Sequence, residues 1–319
     1  MTATIRPSRR RLLQITAAVG CAALAGVGPA RSRPVTWYGR ALGADARIAL
    51  HYPDEAAAGR LIDAALDEVT RLERIFSLYR PDSALARLNR QGALDAPPPE
   101  LVQLMAEATR FSRLTDGAFD ITVQPLWALY ADHFAAPDAD PAGPSEEAIA
   151  GALAKVDYRA VEIDSARIAF SRPGMAVTLN GIAQGFITDR VSDLLKDAGL
   201  THVLVNLGEI RALGPKPDGV PWRVGLPDGR TLGIERRAVA TSVGKGTVFD
   251  GRGRHHHIFN PAHGRSAGGF AHVTVAAPTA TQADALSTGL AASAGEQAAR
   301  IMNRLRTRDG LDFYYEKSG

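Results

Sequence analysis

Sulfur chemistry is almost missing from this chain: one cysteine, Cys21, stands among 319 residues, and it falls inside an N-terminal stretch that reads as a leader. If the leader is cut after it, the mature protein has no thiol, which excludes disulfides and thiolate metal centres. Long apolar runs are missing too. The one candidate, Leu12 to Val27, is short and rich in small residues, against the roughly 20 apolar residues a membrane helix needs. The segment Ala240-Thr241-Ser242-Val243-Gly244 lacks the Gly-x-Ser-x-Gly elbow of a serine hydrolase. The glycines around Gly181 form neither a dinucleotide fingerprint nor a P-loop, and no internal repeat is found.

Acidic residues are absent from the first thirty positions, which hold Arg6, Arg9, Arg10 and Arg11. Arg9 and Arg10 ahead of the short apolar run fit a twin-arginine signal peptide over residues 1–30, cut after Ala25 or Ala30. One periplasmic domain over residues 31–319 would remain. Ala18-Val19-Gly20-Cys21 partly matches a lipoprotein cleavage site, so lipid anchoring through Cys21 is one alternative and a retained N-terminal anchor another. Loss of the four arginines takes the formal charge from +3 to −1. With it goes the electrostatic argument for a nucleic-acid partner.

The rest of the chain is long enough for a large core. Helical periodicity is clear over 56–76, where Leu61, Ile62, Leu66, Val69, Leu72 and Ile75 share a face. Further helices are expected over 100–114, 184–198 and 282–305. Strands are expected over 46–52, 160–163, 202–206, 222–226, 238–241, 272–277 and 311–315. Strands and helices interleave without a βαβ repeat, which predicts an α+β fold of mixed or antiparallel sheets flanked by helices. Residues 135–145, rich in Pro, Ala and Asp, read as a surface loop.

The polar chemistry is concentrated in three segments. Ala283-Asp284-Ala285-Leu286-Ser287-Thr288 places Asp284, Ser287 and Thr288 on one face of a helical turn. That set suits Mg²⁺, which takes oxygen ligands and shares its shell with water and phosphates. The same residues would equally suit an exposed, capped helix start. Residues 177–186 read as a strand entering a helix through a glycine corner, where backbone can approach a ligand and helix amides can meet an anion. Residues 254–261 carry three adjacent histidines on a short apolar strand that ends in an Asn-Pro turn. In a strand only His255 and His257 share a face, and no carboxylate lies at ligand spacing, which argues against zinc. Together the segments suggest a metal-assisted phosphate site.

Their order along the chain resembles the motif series of the ApbE-type FAD:protein FMN transferases. The matching stretches are TLNGIAQGFITDR (178–190), VNLGEI (205–210), ATSV (240–243), HIFNP (257–261) and ADALST (283–288), preceded by Phe76-Ser77-Leu78-Tyr79 and Asp116-Gly117-Ala118-Phe119-Asp120. Gln184-Gly185 with Asn206-Leu207-Gly208-Glu209-Ile210 is most similar to the NosX branch, which serves nitrous oxide reductase maturation. The resemblance implies an ApbE-like fold and Mg²⁺ on Asp284, Thr288 and the Gly181 carbonyl, with Ser287 adjacent. It implies FAD contacts from Leu42, Tyr79, Ala118, Phe119, Asp120 and Ile258, though Tyr79 and Phe119 could instead be core. Thr178 and Gln184 stand at cofactor-site positions where the family usually has Asp and Lys, and Asn260 where Asp is frequent.

The implied reaction moves FMN from FAD to a threonine of an acceptor flavoprotein, such as the membrane protein NosR, and releases AMP. A hydroxyl needs a base before it attacks phosphorus, and His257 is the candidate. Two alternatives keep the site. Water in place of threonine gives a Mg²⁺-dependent FAD pyrophosphatase, and a site without chemistry gives a periplasmic FAD-binding assembly factor.

Overall fold

The computed structural model describes residues 34–42, 44–306 and 310–318. The twin-arginine motif, the cleavage positions and Cys21 lie outside the described residues. Seven strands make one antiparallel sheet: β1 (Val35–Ala41), β2 (Ala44–Leu50), β3 (Val203–Asn206), β4 (Ile210–Ala212), β5 (Ala238–Val243), β6 (Phe270–Ala277) and β7 (Asp312–Lys317). Their spatial order follows the chain. Between β2 and β3 come six helices, α1 (Glu55–Phe76), α2 (Ala84–Gln91), α3 (Pro99–Leu114), α4 (Gln124–Ala135), α5 (Glu146–Leu153) and α6 (Ala183–Asp197). Between β6 and β7 come α7 (Ala280–Ala292) and α8 (Gly295–Arg306).

Strand residues alternate between two covered faces. Ile48, Leu50, Val203, Val205, Ala240, Val273 and Val275 point into the main core shared with α1, α6 and α7. Ala49, Leu204, Ala212, Val239 and Ala276 point the other way, under a hairpin of Trp222–Gly225 and Thr231–Ile234. A sheet covered on both sides explains the unbroken apolar run Val203-Leu204-Val205. A third, smaller cluster lies apart, where Leu126 and Tyr130 of α4 meet Ile149 and Ala152 of α5 and Phe259.

The expected α+β architecture with antiparallel sheets is what forms, and 135–145 is the connection between α4 and α5. Three local expectations are corrected: the single helix over 282–305, the strand entering the helix at 177–186 and the strand carrying the histidines. The helix expected over 282–305 is two, because Ser293 turns extended (φ −85°, ψ 155°) and its hydroxyl donates back to the Leu290 carbonyl at 2.7 Å. The strands expected over 222–226 and 160–163 form, Trp222–Gly225 in the covering hairpin and Val161–Ile163 in a small sheet with Arg167–Phe170 and Ala93–Asp95.

Residues 177–180 form no strand, because a side chain replaces the neighbouring strand. The Asn89 amide accepts from Val177 N and donates to Val177 O, both at 2.8 Å. Nor do His255, His256 and His257 lie on a regular strand. Side chains interrupt the ladder: His255 N donates to Asp250 Oδ1 and His256 N to Ser266 Oγ. Only an isolated bridge, Val248 to His256, remains before Phe259–Asn260 pairs with Arg265–Ser266.

Candidate active site

Helix α7 is buried on nearly every side, between strands β5 and β6, helix α6 and helix α3. Its cap is Thr279, whose hydroxyl accepts from Gln282 N. Asp284 therefore sits beyond the first turn, and it is only 4% exposed. This overturns the reading of Asp284 as an exposed capping residue. Its Oδ2 accepts from Gly185 N at 3.0 Å. Burial pushes the carboxyl up to about 7, against the partial relief of that bond and with Asp189 adding to the rise. Glu209, also buried, is raised well above its ordinary range by burial and by Asp284.

The hydroxyls beside Asp284 form a chain. Ser287 Oγ donates to the Asp284 carbonyl at 3.0 Å, and Ser242 Oγ on β5 lies 2.9 Å from Ser287 Oγ and 3.2 Å from Thr288 Oγ1. With the Ser287 proton spent on the carbonyl, Ser242 must donate to Ser287 and Thr288 to Ser242. Thr288 Oγ1, on a partly buried residue beside Gly181, then accepts no bond within the chain, while Ser287, 1% exposed, is committed inside it. Gly181 closes this side. A Cβ there would stand 2.8 Å from Thr288 Cγ2 and 3.0 Å from Thr288 Oγ1, so only glycine brings this backbone so near Thr288.

The start of α6 is less open than a bare helix terminus. Ala183 N donates to Leu179 O, Gly185 N to Asp284 and Phe186 N to Ile182 O. The expectation that these amides await an anion is corrected: a buried carboxylate and the preceding turn take them. Gln184 directs its side chain to the Asn206–Gly208 turn, its Nε2 being 2.5 Å from where a Cβ on Gly208 would stand. Thr178 N donates to Ile121 O at 2.8 Å.

The other implied flavin contacts have mixed settings. Phe119 is core, 3% exposed, and packs on α7 at Gly289, with Ala118 buried beside it. Tyr79 is the reverse, 80% exposed. Asp120 caps the short 3-10 turn Ile121–Val123, accepting from Thr122 N, Thr122 Oγ1 and Tyr158 N, so its carboxylate is occupied within the protein. Leu42 turns the β1–β2 hairpin with φ 54°, its amide bonded to Glu73 Oε1. Ile258 is buried and its carbonyl accepts from Ala267 N.

The three histidines separate. His255 stacks among Tyr130 and Phe134. His256 is buried, with Nε2 bonded to Ala267 O at 2.8 Å and Nδ1 accepting from Ile258 N. His257 is half-buried. Its Nδ1 lies 3.1 Å from Thr247 O. Burial lowers its pKa below 6.5 against the opposing pull of the Thr247 and Gly244 carbonyls. The neutral tautomer with Nδ1–H leaves Nε2 able to take a proton. Gly244 directly follows β5, which carries Ser242, so one strand links the hydroxyl chain to the histidine.

Sequence reasoning missed Ser242, Glu209 and Asp189. Ser242 carried a usable signal, since strand alternation puts it on the same face as buried Ala240. Among the described residues no three His, Cys, Asp or Glu side chains are grouped to hold a metal. Any cation at α7 would be held largely by hydroxyl and carbonyl oxygens.

A profile of the ApbE family matches residues 42–314. The FAD:protein FMN transferase of Vibrio cholerae serotype O1 is 32% identical over 279 residues, covering 81% of this chain and 82% of that protein. The flavinyl transferase ApbE of Pseudomonas stutzeri, solved in its apo form, superposes with a TM-score of 0.76 at 26% identity, covering 90% of this chain and 96% of that one. The ApbE protein of Thermotoga maritima does so with a TM-score of 0.78 at 28% identity, covering 90% and 97%.

Proposed function

The chain belongs to the ApbE family, and from that premise we propose that it transfers FMN from FAD to a threonine hydroxyl of an acceptor protein, releasing AMP. The observation that carries this reading is the α7 turn itself. A buried acid with a raised pKa, beside a second buried acid, stands one turn from the partly buried Thr288 hydroxyl, and a glycine lets backbone close over it. Hard oxygen donors and uncompensated negative charge fit Mg²⁺. Asp284, Thr288 and the Gly181 carbonyl would hold it. Bound there, Mg²⁺ supplies charge neutralisation for a pyrophosphate whose bridging oxygen must leave.

The chain's own groups do the rest. Ser242 and Ser287 fix the Thr288 rotamer, and the Gly185 amide fixes Asp284. Tyr79 offers an exposed aromatic face to a flavin or adenine ring. His257 Nε2 takes the threonine proton as the oxygen bonds to the FMN-side phosphorus. The bond from that phosphorus to the bridging oxygen breaks, and AMP carries the bridging oxygen away. Because burial keeps the imidazole neutral, it is ready to act at neutral pH.

Gln184-Gly185 with the 206–210 turn supports the NosX-like branch, which makes NosR in nitrous oxide reductase maturation the acceptor. Arg9 and Arg10 support twin-arginine export and a periplasmic reaction. The test is to incubate the protein with FAD, Mg²⁺ and the NosR flavin domain, then to measure acceptor mass and AMP. The acceptor should gain the mass of one FMN on a threonine, and chelation should stop it. AMP without an acceptor adduct would establish a hydrolase, and neither product would establish a carrier.

A further inference from the structure

A carboxylate outside the site crosses between the two helices that build it. Asp189 lies in the second turn of α6 and is 8% exposed. Its Oδ1 accepts from Ala280 N at 2.8 Å. Its Oδ2 accepts from Thr281 N at 2.8 Å and from Thr281 Oγ1 at 2.6 Å. Ala280 and Thr281 open α7, and their amides have no partner within their own helix. The local cap, Thr279, serves Gln282 N instead. Arg211 balances the charge from β4, its Nη1 being 2.9 Å from Asp189 Oδ1 and 3.1 Å from Asp193 Oδ1.

The arrangement is reciprocal. One turn before Asp189 on α6, Gly185 N donates to Asp284, one turn after Ala280 on α7. An α6 carboxylate holds α7 amides, and an α7 carboxylate holds an α6 amide. We propose that Asp189 is a positioning residue that sets the register of α7 against α6, so that the grip of the Asp284–Thr288 turn on a divalent cation depends on it. The proposal rests on the Mg²⁺ reading above. It adds that the cation's strength of binding is set one turn away, by a residue that does not touch it.

The experiment compares the full chain with Asp189→Asn, with Thr281→Val, which deletes only the hydroxyl donor, and with Thr279→Ala, which weakens the same helix through its local cap. Mg²⁺ is titrated by calorimetry, and amide hydrogen exchange is followed at Gly185. Outer-shell partners of metal ligands are commonly worth about 10–100-fold in affinity. Asp189→Asn should weaken Mg²⁺ by about that much, Thr281→Val by a few-fold, and both should speed exchange at Gly185. Thr279→Ala should lower the melting temperature with Mg²⁺ affinity unchanged.

Unaltered Mg²⁺ affinity in Asp189→Asn and Thr281→Val, or an equal loss in Thr279→Ala, overturns the proposal. If Asp189→Asn does not fold, Thr281→Val decides. A wild-type chain that binds no Mg²⁺ rejects the metal reading instead. The register is then judged at Gly185 alone, where unchanged protection in both variants overturns it.

Discussion

Asp284 and His257 are hydrogen-bonded alike but carried differently: the acid lies in a backbone-to-backbone helix crossing, the histidine on a loop that packs by aromatic rings against the α4–α5 lobe. Around Asp284 the polar groups are committed to named partners, Gly185, Ser287, Ser242 and Asp189. His257 itself is bonded to Thr247 O through both its amide and Nδ1, but the loop that carries it is seated on the α4–α5 lobe by ring contacts. Phe249 meets Trp127 at 5.8 Å, Tyr130 meets Phe259 at 5.0 Å and Phe134 meets His255 at 5.0 Å. Hydrogen bonds are directional and fix an angle, whereas ring packing fixes an approach and tolerates rotation. A cation's ligands need the first kind of support. A base that must meet the side chain of another protein can live with the second.

The comparison breaks most severely at its acid end. Asp284→Asn keeps the volume and removes the charge. Metal-borne stabilisation of several kcal/mol is at stake, so FMN transfer should fall by about 10³-fold or more. Mg²⁺ calorimetry should show binding lost while the melting temperature holds or rises, since a buried charge has gone. His257→Ala should cost about 10²–10⁴-fold in single-turnover transfer, with Mg²⁺ affinity unchanged. If both substitutions damage metal binding alike, the two halves are not separate.

The apo protein's stability should also report on Asp284. Its folded value of about 7 lies above the ordinary 3.8, so the folded state binds this proton more tightly than the unfolded chain. The resulting stabilisation is complete below about pH 4 and is lost as pH rises through 7. Melting temperatures should therefore fall from pH 6 to pH 8 without Mg²⁺, and Mg²⁺ should cancel the fall by binding the ionised form. A flat profile would mean that Asp284 is already compensated. The smallest effect is expected in the lobe. Phe249→Ala removes a half-buried ring and should cost about 1–2 kcal/mol locally, slowing transfer roughly tenfold through loosened placement of His257 while Mg²⁺ affinity stays put.

Helix α1 was legible from its apolar spacing because it buries one face only, through Ile62, Val69, Leu72 and Ile75. Helix α7 is not legible that way, since burial on nearly every side erases the periodicity that would mark the break at Ser293. That Gly181 meets Thr288 one turn from Asp284 could be read from segment order. Their depth could not: nothing local says that Thr279 rather than Asp284 ends the cap, or that an α6 amide reaches across to the carboxylate. Asn89 standing in for a strand beside Val177, and Asp189 capping a helix 91 residues further on, are contacts made only by the tertiary fold.

Gly185 carries one more consequence. A Cβ there would collide with the Ala280 carbonyl oxygen and stand 2.8 Å from Asp284 Cβ, so α6 and α7 touch with no side chain between them. Two surfaces in such contact have no compressible layer to give up. The Asp189 and Asp284 bonds hold them in register, and they cannot swing apart without opening a void along the crossing.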